Sequence, residues 1–229
     1  MLRKTILITG SSRGLGKSLA LAFASKGYNI ILHGRNEERL NAIKEDVLRN
    51  KVNCPIVVGD IVDEKTITNL TACAKKNGID ILINNAGVYI RKPVEEMTPS
   101  EFKKIIEVNL IAPVLLTKNI FELFKRRKSG LIININSIAG KDFSHYESAY
   151  CASKHGLRGF MGTFKFEALK YNVAVIDIYL GAMNTDMAIG RKDNNKFIKT
   201  EEVAEFLCLL SQNYTSMRIS EIEIFRKIY

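Results

Sequence analysis

Residues 148–156 read SAYCASKHG and set Tyr150 four positions before Lys154. On a helix that spacing puts both side chains on one face. A neighbouring ammonium favours the charged form of a phenol, whose ordinary pKa lies near ~10. Such a pair could therefore move a proton at neutral pH. It could also be an exposed, solvated pair, because Y-x-x-x-K is short and common. Two further residues bear on the choice. Ser137 lies thirteen positions before Tyr150, just after the apolar run LIINI (131–135). Its hydroxyl could donate to a carbonyl oxygen while Tyr150 delivers a proton, or it could be a turn or cap serine. Asn109 sits inside EFKKIIEVNLIAPVLL, four positions before Pro113. Proline has no N–H for the Asn109 carbonyl and kinks helices. That carbonyl could hold a water leading to Lys154, or the proline could be a plain kink.

A second constellation lies near the N-terminus. TGSSRGLGKSLA (9–20) follows the apolar run TILIT (5–9) and opens a helical pattern. Gly10, Gly14 and Gly16 at such a strand–helix junction suit a phosphate cradle. Glycine admits close backbone approach, and the helix N-terminus presents unpaired N–H groups. The candidate cradle comprises Gly10, Ser11, Ser12, Arg13, Gly14, Leu15 and Gly16. A tight turn with no ligand is the bland alternative. The next apolar run ends in IILHGRNEERL. An acid at this tip grips a ribose 2′-OH in folds that choose NAD. Here the tip is His33-Gly34-Arg35, with no acid. Arg35 and Arg13 would attract a 2′-phosphate by charge-assisted hydrogen bonds. This predicts NADP(H) in preference to NAD(H), unless Arg35 merely begins the charged face of the next helix.

These residues need a frame. The runs Thr5–Thr9, Asn29–Leu32, Ile56–Val58, Ile81–Ile83, Leu131–Ile135 and Val173–Ile178 are rich in β-branched residues and lack polar alternation. Strands buried on both faces read this way. Helical patterns lie between them. Leu15, Leu19 and Phe23 repeat at four, and Phe102, Ile105, Ile106, Leu110, Val114 and Leu116 continue a broader apolar face. A last strand falls within Ile219–Phe225. Alternating strands and helices imply right-handed crossovers and a parallel sheet covered on both sides. The fold class expected is α/β: one Rossmann-like doubly wound domain over 1–229, with about seven parallel strands. Its cofactor part would span about 1–140.

With these motifs in view, the sequence resembles the short-chain dehydrogenase/reductase family from about Thr5 to Met187. TGSSRGLG matches the family's T-G-x-x-x-G-x-G. GDI (59–61), NNAG (84–87), Asn109, Ser137 and Y-x-x-x-K follow in the family's order. The resemblance implies an NAD(P)-dependent oxidoreductase with the catalytic tetrad Asn109, Ser137, Tyr150 and Lys154. Tyr150 would be the acid/base. Lys154, with the oxidised nicotinamide, would lower its pKa and hold the nicotinamide ribose. Ser137 and Tyr150 would meet the substrate, and Asn109 would hold a relay water. Asp60, Ile61, Asn85 and Ala86 would line the adenine–ribose side, Gly87 would also meet the cofactor, and Met183 and Thr185 would lie near the nicotinamide. The family's Pro-Gly after the sixth strand is here Leu180-Gly181, which puts that loop's geometry in question. The polar stretch at about 186–200 would form a substrate lid, in which Arg191, Lys192 and Lys196 could meet an anionic substrate or be ordinary lid surface, the reading preferred. Relatives often form dimers or tetramers, so a homodimer or homotetramer is expected.

Composition narrows the alternatives. The 229 residues are 46% hydrophobic and 25% charged, as in ordinary globular proteins. No apolar run reaches the ~18–20 residues of a membrane span. The N-terminal run leads straight into glycines and is too short for a signal peptide. These features predict a cytoplasmic protein. The four cysteines are scattered without C-x-x-C, and the three histidines lack metal-ligand spacing, so no metal is expected. The net charge of +10 falls in short patches without interleaved aromatics, which argues against nucleic acid. The expectation is therefore an NADPH-dependent carbonyl reductase, or the reverse alcohol dehydrogenase, on a small-molecule substrate. Two rivals stand beside it. One is a cofactor-binding regulatory protein on the same fold, and the other an epimerase or dehydratase with tightly held cofactor.

Overall fold

The computed structural model of the chain describes residues 3–185, 197–212 and 218–227. Seven strands form one sheet: β1 Thr5–Ile8, β2 Asn29–Gly34, β3 Ile56–Val58, β4 Ile79–Asn84, β5 Gly130–Ser137, β6 Val173–Leu180 and β7 Glu221–Ile224. Their order is β3-β2-β1-β4-β5-β6-β7, and every pairing is parallel. This is the doubly wound α/β fold expected from the strand–helix alternation. The chain steps outward from β1 to β3, returns beside β1 as β4, and then steps outward the other way. The loops leaving β1 and β4 therefore diverge and open a crevice at the carboxyl edge.

The inner strands bury both faces, which explains their absence of polar alternation, whereas the edge strand β7 alternates exposed and half-buried residues. On one face Ile6, Ile8, Ile81, Ile83, Ile133 and Ile178 pack with Leu19 and Phe23 of α1 (Gly14–Ser25), Leu40 of α2 (Glu37–Leu48) and Leu207 of α7 (Thr200–Gln212). On the other, Leu7, Leu82, Ile132 and Val175 meet Leu70 of α3 (Glu64–Lys76), Leu116 and Ile120 of α5 (Ala112–Arg127), and Leu157 and Met161 of α6 (Ser148–Leu169). Local chemistry sets helix starts. The Asn36 side chain accepts from Arg39 N at 2.8 Å. Thr98 and Glu101 close a capping box ahead of α4 (Pro99–Ile106), whose first residue is proline.

The stretch read as one apolar helix face is interrupted. Between α4 and α5, residues Glu107–Ile111 form a π-helical turn, in which Ala112 N–H bonds the Glu107 carbonyl five residues back. The wider turn inserts a residue and rotates the later side chains out of phase. Ile105 and Leu116 are buried as the pattern implies, whereas Phe102 remains exposed. Thus the break that Pro113 foreshadows is a π turn. The Leu180-for-proline exchange has a local consequence as well. Leu180 continues β6, in register with Ser137 and Ile224, and Gly181 N–H then bonds the Ile224 carbonyl at 2.9 Å. Residues 186–196, most of the expected lid, with Arg191, Lys192 and Lys196, lie outside the described residues.

Candidate active site

A cavity of about 600 Å³ opens over the carboxyl ends of β1, β2, β4, β5 and β6. That size suits a bound small molecule or cofactor. Of the residues singled out from sequence, Gly10, Ser12, Arg13, Gly14, Leu15, Gly16, Arg35, Asp60, Ile61, Asn85, Ala86, Gly87, Ser137, Tyr150, Lys154, Met183 and Thr185 all line it. Two do not. Ser11 is fully buried, and both its backbone N–H and its hydroxyl bond the His33 carbonyl, at 2.8 and 3.2 Å. Its role is to staple the loop to β2, which removes its N–H from any ligand. Asn109 lies behind the wall, 1% exposed.

The glycine loop is shaped for close approach. Gly10 and Gly14 hold φ of +65° and +52°, which disfavours side chains. A Cβ on Gly16 would stand 2.3 Å from the Gly10 carbonyl oxygen and 2.6 Å from Asn85 Nδ2. Asn85 Nδ2 donates to the Thr9 and Gly10 carbonyls at 2.8 and 3.1 Å, so β4 pins the loop of β1. His33 Nδ1 accepts from Gly10 N–H at 3.3 Å, and burial pushes its pKa down to about 4, so the ring is neutral. At the β2 tip, Arg35 Nη1 stands 3.5 Å from Asp60 Oδ2 and is 61% exposed. This cradle, with a mobile-length guanidinium at its far end, fits a dinucleotide phosphate chain.

Across the cavity, Tyr150 and Lys154 occupy successive turns of α6. Lys154 Nζ donates to the Ile135 carbonyl at 3.1 Å and stands 5.8 Å from the Tyr150 ring centre. Burial alone lowers the Lys154 pKa to about 8. The Tyr150 phenol runs opposite to the sequence expectation in the protein by itself. Burial pushes it up to about 12, a bond with Ser137 draws it down, and Glu147 and Cys151 push it up. Lys154 is thus too withdrawn to offset the loss of water. Asn109 uses its amide as a brace: Oδ1 accepts from Val88 N–H at 2.9 Å, and Nδ2 donates to the Val88 carbonyl and to Ser153 Oγ at 2.9 and 3.1 Å. Its π turn thereby ties the loop after β4 to α6.

The sequence did not single out Tyr89, Phe143, Glu147 or Phe225, which also line the cavity. Tyr89 meets the Tyr150 ring edge-to-face at 5.0 Å, and its hydroxyl donates to Glu147 Oε1 at 2.6 Å. Glu147 stands three residues before Tyr150, almost one helical turn, which was the available signal.

Across one cavity a glycine cradle at a topological switch point faces a tyrosine–lysine pair and a strand-end serine. The comparisons with known proteins show the family. The family profile described as short chain dehydrogenase matches residues 4–196. The chain is 34% identical over 184 residues to the 3-oxoacyl-(acyl-carrier-protein) reductase FabG of Rickettsia conorii, covering 80% of this chain and 74% of that protein. It is 30% identical over 193 residues to the cattle dehydrogenase/reductase SDR family member 7B, covering 80% of this chain but spanning only 59% of that relative's length. Its fold superposes on an alcohol dehydrogenase from the archaeon Thermococcus sibiricus, complexed with 5-hydroxy-NADP, with a TM-score of 0.91 and 27% identity over 100% of this chain and 98% of that one. The chain belongs to the short-chain dehydrogenase/reductase family of oxidoreductases.

Proposed function

We propose that the protein is an NADP(H)-dependent oxidoreductase that interconverts a small carbonyl compound and its alcohol, with Tyr150 as acid/base. The observation that carries this reading is the shared cavity. One end is a glycine cradle that a methyl group would fill, and the other holds Ser137, Tyr150 and Lys154. When bound, the nicotinamide supplies or accepts the hydride. The chain's own residues do the rest. Gly10, Ser12, Arg13, Gly14, Leu15 and Gly16 bind the phosphates, while Ser11 holds their loop to β2. Arg35 and Arg13 receive the 2′-phosphate, Arg35 by turning from Asp60. Asp60, Ile61, Asn85 and Ala86 line the adenine–ribose side, Gly87 also meets the cofactor, and Met183 and Thr185 flank the nicotinamide. Ser137 donates to the carbonyl oxygen, and Tyr150 moves the proton at that same oxygen. Lys154 would hold the ribose, and an oxidised nicotinamide, when bound, would favour the phenolate form of Tyr150 against the burial that raises its pKa in the protein alone. Asn109 fixes α6 and leaves its turn's backbone to hold the relay water.

The named activities of relatives support the reaction class: a 3-oxoacyl reductase, an alcohol dehydrogenase, and a short-chain oxidoreductase in complex with NADP. A cytoplasmic homodimer or homotetramer suits this reading, with Ile111, Leu115 and Phe166 exposed on the helices around Asn109 and Tyr150. The test is NADPH oxidation against a panel of ketones and aldehydes, with Tyr150→Phe as the control. Turnover should fall by at least ~10²-fold in the variant, the scale of a lost general acid. A variant that keeps most of its activity refutes the scheme. NADPH binding without turnover on any carbonyl would favour the regulatory alternative. A dinucleotide that copurifies and does not exchange would favour the epimerase or dehydratase.

A further inference from the structure

Glu147 is an acid where the proposed chemistry does not ask for one. It is 6% exposed, lines the cavity, and precedes Tyr150 by less than one turn. The Tyr89 hydroxyl donates to its Oε1 at 2.6 Å, while the Tyr89 ring edge packs on Tyr150 at 5.0 Å. An acid buried on the same cavity wall, and joined to Tyr150 through the Tyr89 ring, disfavours a second negative charge on the phenol.

We propose that Glu147, fixed by Tyr89, is a positioning residue that keeps Tyr150 in its protonated, proton-donating form and so biases the enzyme towards carbonyl reduction. The proposal rests on the oxidoreductase reading above. In reduction the substrate carbon gains hydride from the reduced dinucleotide, and the carbonyl oxygen gains the Tyr150 proton. Tyr150 is left as phenolate and is reprotonated from solvent. Oxidation of the alcohol needs that phenolate at the outset, which Glu147 opposes.

Among the described residues, the other groups near Tyr150 are mostly neutral or turned away from it, and the cation Arg226, after β7, also lines the cavity. From α6 come Cys151, neutral because burial raises its pKa, and Lys154, whose Nζ is turned to the Ile135 carbonyl. From the end of β5 comes the neutral Ser137, and beyond it Asp142, a second acid on the cavity wall. From the loop after β4 come Tyr89 and Arg91. Arg91 Nε is 4.0 Å from Glu147 Oε1, but its side chain is 50% exposed against 7% for Glu147. Solvent screens the cation more than the acid.

The test reads Tyr150 ionisation in the NADP⁺-loaded protein and needs no substrate. Near-ultraviolet phenolate absorbance is followed against pH, with Tyr150→Phe subtracted in each background. Glu147→Gln keeps an acceptor for Tyr89 and removes the charge. Its Tyr150 should ionise about one pH unit lower than in the parent, the scale of one removed neighbouring charge. Arg91→Ala lies on the surface and guards against misfolding of the first variant. It should shift ionisation the other way, by a few tenths of a unit at the exposed-pair scale. Tyr150 ionisation that is unmoved or raised in Glu147→Gln, or lowered in Arg91→Ala, overturns the proposal. Failure of the parent to bind NADP⁺, read by fluorescence, overturns the oxidoreductase reading instead, and this inference falls with it.

Discussion

The strongest stability prediction concerns a buried ion pair outside the cavity. Asp177 on β6 is fully buried, and Lys165 Nζ of α6 stands 2.7 Å from its Oδ2. Asp177 Oδ1 accepts from Asn134 Nδ2 at 2.9 Å, and Asn134 Oδ1 accepts from Asn84 Nδ2 at 2.8 Å. Asn84, Asn134, Asp177 and Glu221 lie opposite one another in register, so a polar row crosses β4, β5, β6 and β7. At 2.7 Å the Coulomb attraction is ~6 kcal/mol for an effective dielectric of ~20. Desolvation of two ions, several kcal/mol each, offsets most of it, so the intact pair contributes little net stability. Removing one partner is another matter. Lys165→Met strands a fully buried carboxylate on β6 and should cost about 3–5 kcal/mol, a large share of the ~5–15 kcal/mol that holds a domain together. Lys165→Met with Asp177→Asn should recover most of that loss, because the amide oxygen still accepts from Asn134. Burial raises the Asp177 pKa in the folded protein, and loss of Lys165 raises it further. Stability linked to a raised folded pKa is fully present below the unfolded value of ~3.9 and is lost as pH rises through the folded value. The deficit of Lys165→Met relative to the parent should therefore shrink between neutral pH and pH ~4. Urea unfolding of the parent, single and double variants at both pH values measures it. A single-variant cost below ~1 kcal/mol, or a deficit that grows on acidification, would refute the reasoning.

Two further outcomes follow from the cradle and its far end. Gly16→Ala puts a methyl 2.3 Å from the Gly10 carbonyl oxygen, which is backbone and cannot yield, so dinucleotide binding measured by fluorescence should be lost. Gly159→Ala, in α6 with nothing within 4 Å, should instead raise stability by up to about 1 kcal/mol in the same preparations. Arg35→Ala should weaken NADPH about 10–100-fold, the scale of a lost charge-assisted hydrogen bond, and leave NADH unchanged. Equal weakening of both nucleotides would show that Arg35 holds something other than the 2′-phosphate.

What the sequence could and could not reveal follows one rule. Features carried by neighbours along the chain were legible. The β-branched runs of the inner strands became strands because they are buried on both faces, and Tyr150 and Lys154 share a face because helical periodicity requires it. Features that depend on register between distant strands were not. Asn84, Asn134, Asp177 and Glu221 lie far apart along the chain, and only the strand order aligns them into a row. Similarly, Ser11 belongs to the glycine motif by position, but its hydroxyl and N–H are drawn to His33 on the neighbouring strand. Pro113 foretold a break beside Asn109, but the choice of a π turn over a kink is made by packing. The Asn109 amide has to reach Val88 and Ser153 together. One signal was present and unused. Lys165 follows Lys154 by eleven positions, three turns of a 3.6-residue helix, so a buried Lys154 puts Lys165 on the inward face too. A lysine in that place needs an acid on the sheet beneath it. Among the polar residues of β6, Asp177 alone carries the charge to answer it.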